Sequence, residues 1–497
     1  MIWSNFLHIY QPAEQQPDIL EAVAVQSYRP ILGGVLKDKS IRLTFNITGS
    51  LLELFDKYGY RDLLDILRAL SVEGRVEFTG SAKYHALLPF LKEEEIVRQI
   101  NINNEAGKFY LGNTFNPKGF FPPEMAYKEG LAPIIESLGF EWMILDEIAF
   151  CGEPGKVDFT KKYKIKDSNL NVFFRDRRLS NLIMSAIVRS GDSLAEVIKD
   201  DINSGRYVVT AMDGETFGHH RPGLDKAFFE FFKVKGVDWL TISELSEKLT
   251  GAVEIEPVTS TWASSSEDIK KGIQFLSWDD PENEIHRWQW ELVNLALRIV
   301  DSTDKRSGNY PVLRAKMDRA LASDHFWWAS AKPWWSLEMI ESGAYCNLDI
   351  VRSAENTSVD DLEKARTLYE KIVSTAFQWK RSGKIYEMMN ERKNILRIPF
   401  KERTFEKGGK ERGVYEAFLA MFKDLEKEAA QNGEYEKAIL WRDAVYKLEN
   451  KSDIYDTIHA IELLRLHIPH DVVEKTLDKY TAKYDEIRGG QPEQRGA

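Results

Sequence analysis

Cysteine is nearly missing from this chain: Cys151 and Cys346 are the only two in 497 residues. Two thiols with no CxxC pairing exclude a disulfide framework and a thiolate zinc site, and they fit a reducing compartment. No run of 18 apolar residues occurs, so no transmembrane helix is expected. The opening Met1-Ile2-Trp3-Ser4-Asn5-Phe6-Leu7 lacks the charged segment that precedes the apolar run of a signal peptide, and it reads as a strand. These absences predict a cytoplasmic protein. Positive charge is also in deficit, with 67 Lys and Arg against 78 Asp and Glu and a net charge of -11. That excess of acid argues against nucleic acid or an anionic membrane as the main partner, and it leaves a neutral partner such as a sugar open. Nothing here fixes the oligomeric state.

What is present divides into two styles. Up to about residue 260, short apolar runs alternate with helical patterns. Strands are expected at Ile2–Leu7, Arg42–Ile47, Val76–Thr79, Gly119–Phe121, Trp142–Leu145, Val172–Phe174, Tyr207–Ala211 and Val237–Leu240. Alternation of this kind predicts a parallel sheet, and seven or eight repeats predict closure into a barrel with its chemistry at the strand ends. Pro257 to Ser266 is small and polar and reads as a connection. Beyond it the chain becomes helical, with amphipathic segments at Glu282–Val300, Val359–Lys380, Val414–Ala430, Tyr435–Leu448 and Asp453–Leu466. The domains expected are therefore 1–260, a barrel, and 261–488, a helical domain that adds aromatic residues to a cleft. Residues 489–497 read as a disordered tail.

Several segments concentrate reactive groups. In Phe120-Phe121-Pro122-Pro123-Glu124, the prolines must stop the strand because they have no N–H for a ladder. Glu124 is then either a functional acid on a stiff turn or an ordinary first-turn acid. In Tyr207 to His220, a β-branched strand ends in Asp213, Glu215, His219 and His220, with Gly214 and Gly218 allowing tight turns. The alternatives are a site or a solvated loop. His8 and Gln11 follow the first strand, where they can meet hydroxyls or serve packing. Glu77 lies inside an apolar strand with His85 beyond it, so its charge needs a partner or a solvent-facing position. Arg175 and Asp176 end another strand, where an internal ion pair is the plain account. Eight of the 13 tryptophans fall between Trp262 and Trp335. Most are expected in the core, and one or two are expected to stack on a sugar face.

Taken in order, four of these segments resemble the short regions that mark glycoside hydrolase family 57. His8–Pro12 is similar to its His-x-His-Gln-Pro region, with Tyr10 in place of the second histidine. Arg75–Gly80 is similar to its Gly-x-Leu-Glu-x-x-Gly region. Phe120–Ala126 resembles the region of the nucleophilic glutamate, and Met212–His219 that of the acid/base aspartate. The resemblance implies an α/β fold, an incomplete (β/α)7 barrel followed by a mostly α-helical domain, acting on α-glucans or maltooligosaccharides. It implies Glu124 as nucleophile and Asp213 as general acid/base, with no metal or cofactor. Expected substrate contacts are His8, Gln11, Glu77, His85, Arg175, Asp176, His219, Trp278, His325, Trp327 and Trp334. The large C-terminal β-sandwich of some members is not evident.

Amylase-like hydrolysis by double displacement is the favoured reading. A 4-α-glucanotransferase or a branching enzyme would use the same two carboxylates. A metal-dependent carbohydrate deacetylase would need ligands such as His219 and His220, but neighbours in sequence rarely point the same way. A non-catalytic glycan-binding protein is a further class. The retaining reading requires Glu124 and Asp213, distant in sequence, to lie about 5–5.5 Å apart.

Overall fold

A computed structural model describes residues 1–332, 334–392, 414–450 and 468. The helix expected at 453–466 and the tail at 489–497 lie outside the described residues. The described chain forms two compact units. The first holds residues 1–216 and 227–389, and the second holds 217–226 with the residues after 389.

The described residues form ten strands: β1 (Ile2–Ile9), β2 (Leu43–Ile47), β3 (Val76–Thr79), β4 (Gly119–Phe120), β5 (Trp142–Asp146), β6 (Tyr163–Ile165), β7 (Asn171–Arg175), β8 (Tyr207–Asp213), β9 (Asp238–Trp239) and β10 (Val253–Ile255). All eight expected strands are there. Their continuous apolar runs follow from burial on both faces, as parallel sheets demand. Seven of the eight residues of β1 are buried. One sheet runs β3-β2-β1-β8, with β9 beside the start of β1. The other runs β10-β6-β7-β5-β4.

The two sheets meet at both sides. Gly80 bridges Phe120 in parallel, with Gly80 N–H donating to Gly119 O and Phe121 N–H to Gly80 O, both at 2.9 Å. Glycine is required at this seam, because a Cβ on Gly80 would lie 2.4 Å from the Phe140 ring. On the far side Asp176 N–H donates to Val209 O at 2.7 Å. The unexpected strands, β6 and β10, have three residues each and are interleaved with charge. They pair with one another, and Lys164 meets Glu254 across them at 3.0 Å. Such short, charged edge strands carry little apolar signal.

Register decides the site. In β1, His8 pairs with Asn46 of β2 and with Asp213 of β8, and Asn46 pairs with Thr79 of β3. These four residues form one layer at the carboxyl ends of the strands. Two residues back, Phe6, Thr44, Glu77 and Ala211 form another layer.

Helices after residue 280 occupy Glu284–Ser302, Tyr310–Ala320, Leu337–Ser353 and Val359–Ser382. Their apolar faces join the same buried core as Phe121 and Trp142, through Leu292, Val300, Leu313, Ile340 and Ile372. In the second unit, helices Val414–Gln431 and Tyr435–Asn450 pack around Phe418, Phe422, Trp441 and Leu448. Gly433, at φ +73°, makes the turn between them. Among the described residues no helix is long and apolar enough to cross a membrane.

Candidate active site

Glu124 sits where β4 runs out. Pro122 and Pro123 end the strand and open a single 3-10 turn. Glu124 then takes φ +61° and Met125 φ +48°, left-handed values that cost non-glycine residues about 1–2 kcal/mol each. Packing and hydrogen bonds hold this geometry. Met125 N–H donates to Pro122 O at 2.8 Å, and Tyr127 and Ser260 exchange two backbone bonds at 2.9 and 3.1 Å. Trp262 then grips Glu124 twice. Its backbone N–H donates to Glu124 O at 3.1 Å, and its indole Nε1–H to Oε2 at 2.7 Å.

Asp213 ends β8 beside His8. Burial raises its pKa to about 6, against the opposing charge of Arg175. Burial raises Glu124 to about 8. The Trp262 N–H opposes that rise, while the charges of Asp213 and Asp324 add to it. The charge of Asp213 thus bears on the ionisation of Glu124.

A ladder of rings lines the same end of the strands. His8 stacks on Phe121 at 4.6 Å and on His85 at 5.0 Å, and His85 stacks on Tyr10 at 4.3 Å. Tyr10 O–H donates to Asp324 Oδ2 at 2.6 Å. His85 Nδ1 is 3.1 Å from Ser323 Oγ and 3.8 Å from Glu124 Oε1, and its Nε2 is buried with no protein partner. Asn46 donates from its amide to Thr79 Oγ1 and turns its Oδ1 to His8 Nδ1 at 2.7 Å. His8 therefore carries its proton on Nδ1 and leaves Nε2 able to accept from a hydroxyl. Burial lowers His8 to about 4 and holds His85 well below the ordinary histidine value, so both rings are neutral near pH 7. Glu215 binds Tyr28 O–H and Gln11 Nε2, and burial raises it to about 7.

The structure thus brings Glu124, Asp213, His8 and His85 together, with Gln11 held on Glu215. Other expected contacts have settings of their own. Glu77 stands two residues back from the strand end, and its oxygens accept from Thr44 Oγ1, Ser243 N–H and Ser243 O–H. Those bonds hold the helix Ile242–Lys248 across the amino ends of the strands. Asp176 caps the helix Arg177–Met184 and pairs with Arg206 at 2.6 Å. Arg175 is buried, with bonds to Ala211 O, Asp146 and Asn181. Trp278 is core, and its carbonyl accepts from Trp290 Nε1. His325 is packed among helices, with Gln289 Nε2 3.2 Å from its Nδ1. Trp327 and Trp334 meet at 4.7 Å and stay partly exposed. His219 belongs to the second unit. Among the described residues no group of three or more His, Cys, Asp or Glu is arranged to hold a metal ion.

Trp262, Asp324 and Tyr10 are site neighbours that residue patterning did not single out as contacts. A tryptophan in the small polar stretch Thr259 to Ser266 has no apolar neighbours in sequence to pack with, and that was the available signal for Trp262.

Two half-buried acids thus stand at the carboxyl ends of parallel strands, where α/β barrels place their chemistry. Residues 5–256 match the profile of Glycosyl hydrolase family 57, and the chain belongs to that family. It is 22% identical to a 4-alpha-glucanotransferase of Thermococcus litoralis over 57% of this chain and 45% of that one. It is 24% identical to Alpha-amylase 1 of Dictyoglomus thermophilum over 56% and 47%. The chain thus spans about half the length of these curated relatives. In fold it is similar to a GH57-type branching enzyme from Pyrococcus horikoshii, with TM-score 0.57 and 17% identity, covering 75% of this chain and 94% of that one.

Proposed function

We propose that this protein is a retaining glycosidase acting on α-glucans, with amylase-like hydrolysis through a glycosyl-enzyme on Glu124. The strands β1, β2, β3, β4, β5, β7 and β8 then serve as an incomplete seven-stranded β/α barrel. Residues 1–260 supply the two acids and 261–389 the aromatic wall. The observation that carries this reading is the pair itself: two half-buried carboxylates, on separate strand ends, each with its pKa raised by desolvation, with Asp213 acting on Glu124 by charge.

The chemistry follows from the groups present. Glu124, ionised and held by the Trp262 N–H, attacks the anomeric carbon while Asp213 gives its proton to the leaving oxygen. Asp213 then takes a proton from water, and the ester at Glu124 breaks. Productive enzyme has one proton on the pair, resting on Asp213. Positive charge developing on the sugar stabilises ionised Glu124 and so favours the proton on Asp213. Neutral His8 and His85 accept and donate to sugar hydroxyls. Either singly protonated form sits between the steps at about 6 and about 8, so the rate should form a bell across that range.

Azide supplied to Glu124→Gly, with an activated α-glucosyl donor, should give a β-glucosyl azide. Product of α configuration, or no rescue by any small nucleophile, would remove the nucleophile role. Transfer is a second reading favoured by the relatives, because water and a sugar hydroxyl compete for one glycosyl-enzyme. Maltooligosaccharide products decide between them: shorter chains mean hydrolysis, longer ones transfer, and new α-1,6 linkages branching.

A further inference from the structure

A largely buried ion triplet joins segments around the two carboxylates and touches no substrate in this reading. Asp146, at the end of β5, is 1% exposed and accepts from two arginines at once. Arg175 Nη1 donates to its Oδ2 at 2.9 Å, and Arg177 Nε donates to its Oδ1 at 2.9 Å. Each arginine then reaches away from Asp146 to a different part of the site. Arg177 spends its fork on the loop that holds Glu124, donating to Trp262 O at 2.9 Å and Ser264 O at 3.0 Å. Arg175 spends Nε on Ala211 O at 2.7 Å, two residues before Asp213, and Nη2 on Asn181 at 2.9 Å.

We infer that the Asp146–Arg175–Arg177 crosspiece is a positioning device, tying the Trp262 loop to the end of β8 and so setting the spacing of Glu124 and Asp213. Three features support it. The β7–β8 seam has no paired register of its own, and the Arg175 side chain supplies a bond to Ala211 O where a neighbouring strand would otherwise give one. Trp262 is the one side chain that donates a described hydrogen bond to Glu124, and its carbonyl is fixed by Arg177. Every nitrogen of Arg175 already donates to protein, so its action on the reaction passes through others rather than through contact with sugar. Asp213 is a carboxylate that feels the charge of buried Arg175. A planar, two-sided fork is what arginine provides and lysine does not.

The test is a double-mutant cycle on maltooligosaccharide turnover. Arg177→Met and Trp262→Phe should each lower kcat by about 10-fold or more with KM little changed, the cost of one charge-assisted bond. The double variant should fall no further than Trp262→Phe alone, within about 2-fold, because both remove one arm of one device. Losses that multiply would overturn the inference. Arg175→Met should shift the acid limb of the kcat/KM profile upward, since Asp213 loses the cation that opposes its burial. An unmoved limb would count against the device. Arg314→Met breaks the remote buried pairs with Glu95 and Asp318. It should lower Tm while leaving kcat and both limbs in place, which separates positioning from stability. Should Arg177→Met fail to fold, Arg177→Ala with millimolar guanidinium serves instead. Arg177 lines a cavity of about 650 Å³, and recovered turnover on adding the cation supports the device, whereas none opposes it. The inference rests on Glu124 and Asp213 being the reacting pair. Full turnover in Glu124→Gln would sink that reading, while a multiplicative cycle sinks the crosspiece alone.

Discussion

Two glutamates on neighbouring strands of the same sheet system show how one residue type is put to opposite uses. Glu77 in β3 and Glu124 after β4 are both half-buried, and desolvation raises the pKa of each. Glu77 receives three donors, two of them from the first turn of the helix it holds. Glu124 receives one donor, sits on a left-handed backbone, and faces two other carboxylates. The amino end of the strands spends its charge on holding the fold. The carboxyl end leaves its charge unsatisfied, and an unsatisfied buried acid is a reactive one.

The sharpest way to break that contrast is to remove each charge in turn. Glu124→Gln should lower turnover by at least about 10³-fold, the scale on which a covalent nucleophile works, while glucan binding by affinity electrophoresis survives. Glu77→Gln should keep turnover within about 3-fold. It should lose about 1–3 kcal/mol of stability in urea unfolding, because Ser243 and Thr44 lose an acceptor and the amide brings a misplaced donor. Turnover that collapses in Glu77→Gln while Tm holds would place that residue in the site and dissolve the comparison.

A smaller effect is expected at the single donor. Trp262→Phe keeps the ring and removes the N–H to Glu124 Oε2. With that donor gone, burial acts on Glu124 unopposed, so its pKa rises and the alkaline limb of the rate profile should move up. An unchanged limb, with kcat within about 2-fold of the parent, would show that the indole serves packing alone.

Much of this contrast was legible in the chain itself. The prolines before Glu124 and the β-branched run before Asp213 announce strand ends, because parallel strands buried on both faces must be apolar and must stop where proline removes a donor. His8 and His85 were within reach for the same reason. Glu77 was not separable from them by sequence. Its position two residues deeper is a matter of register between β2 and β3, and its partner Ser243 is 166 residues away. Trp262 and Asp324 were hidden by the same distance, since the bonds to Glu124 and Tyr10 join segments 138 and 314 residues apart. His325, Trp278 and Asp176 were dense in signal yet turned inward, because a helix or strand end presents only some of its polar groups to a cleft.

The smallest expected effect concerns stability and carries the comparison to its physical root. A carboxyl whose folded pKa lies above its unfolded value stabilises the fold below the unfolded pKa, and that contribution is lost as pH rises through the folded value. For Glu124 the window runs from its ordinary value of 4.5 up to about 8, and for Asp213 from 3.8 up to about 6. At pH 9 both are ionised in a dry site, and removing the Glu124 charge should relieve the fold. Glu124→Gln should therefore melt higher than the parent at pH 9, by about 2 °C or more, and differ little at pH 5. Melting curves at the two pH values give the answer without any substrate. A variant that melts lower than the parent at pH 9 would mean that the Glu124 carboxyl is satisfied by donors within the fold, and the two ends of the strands would then be built alike.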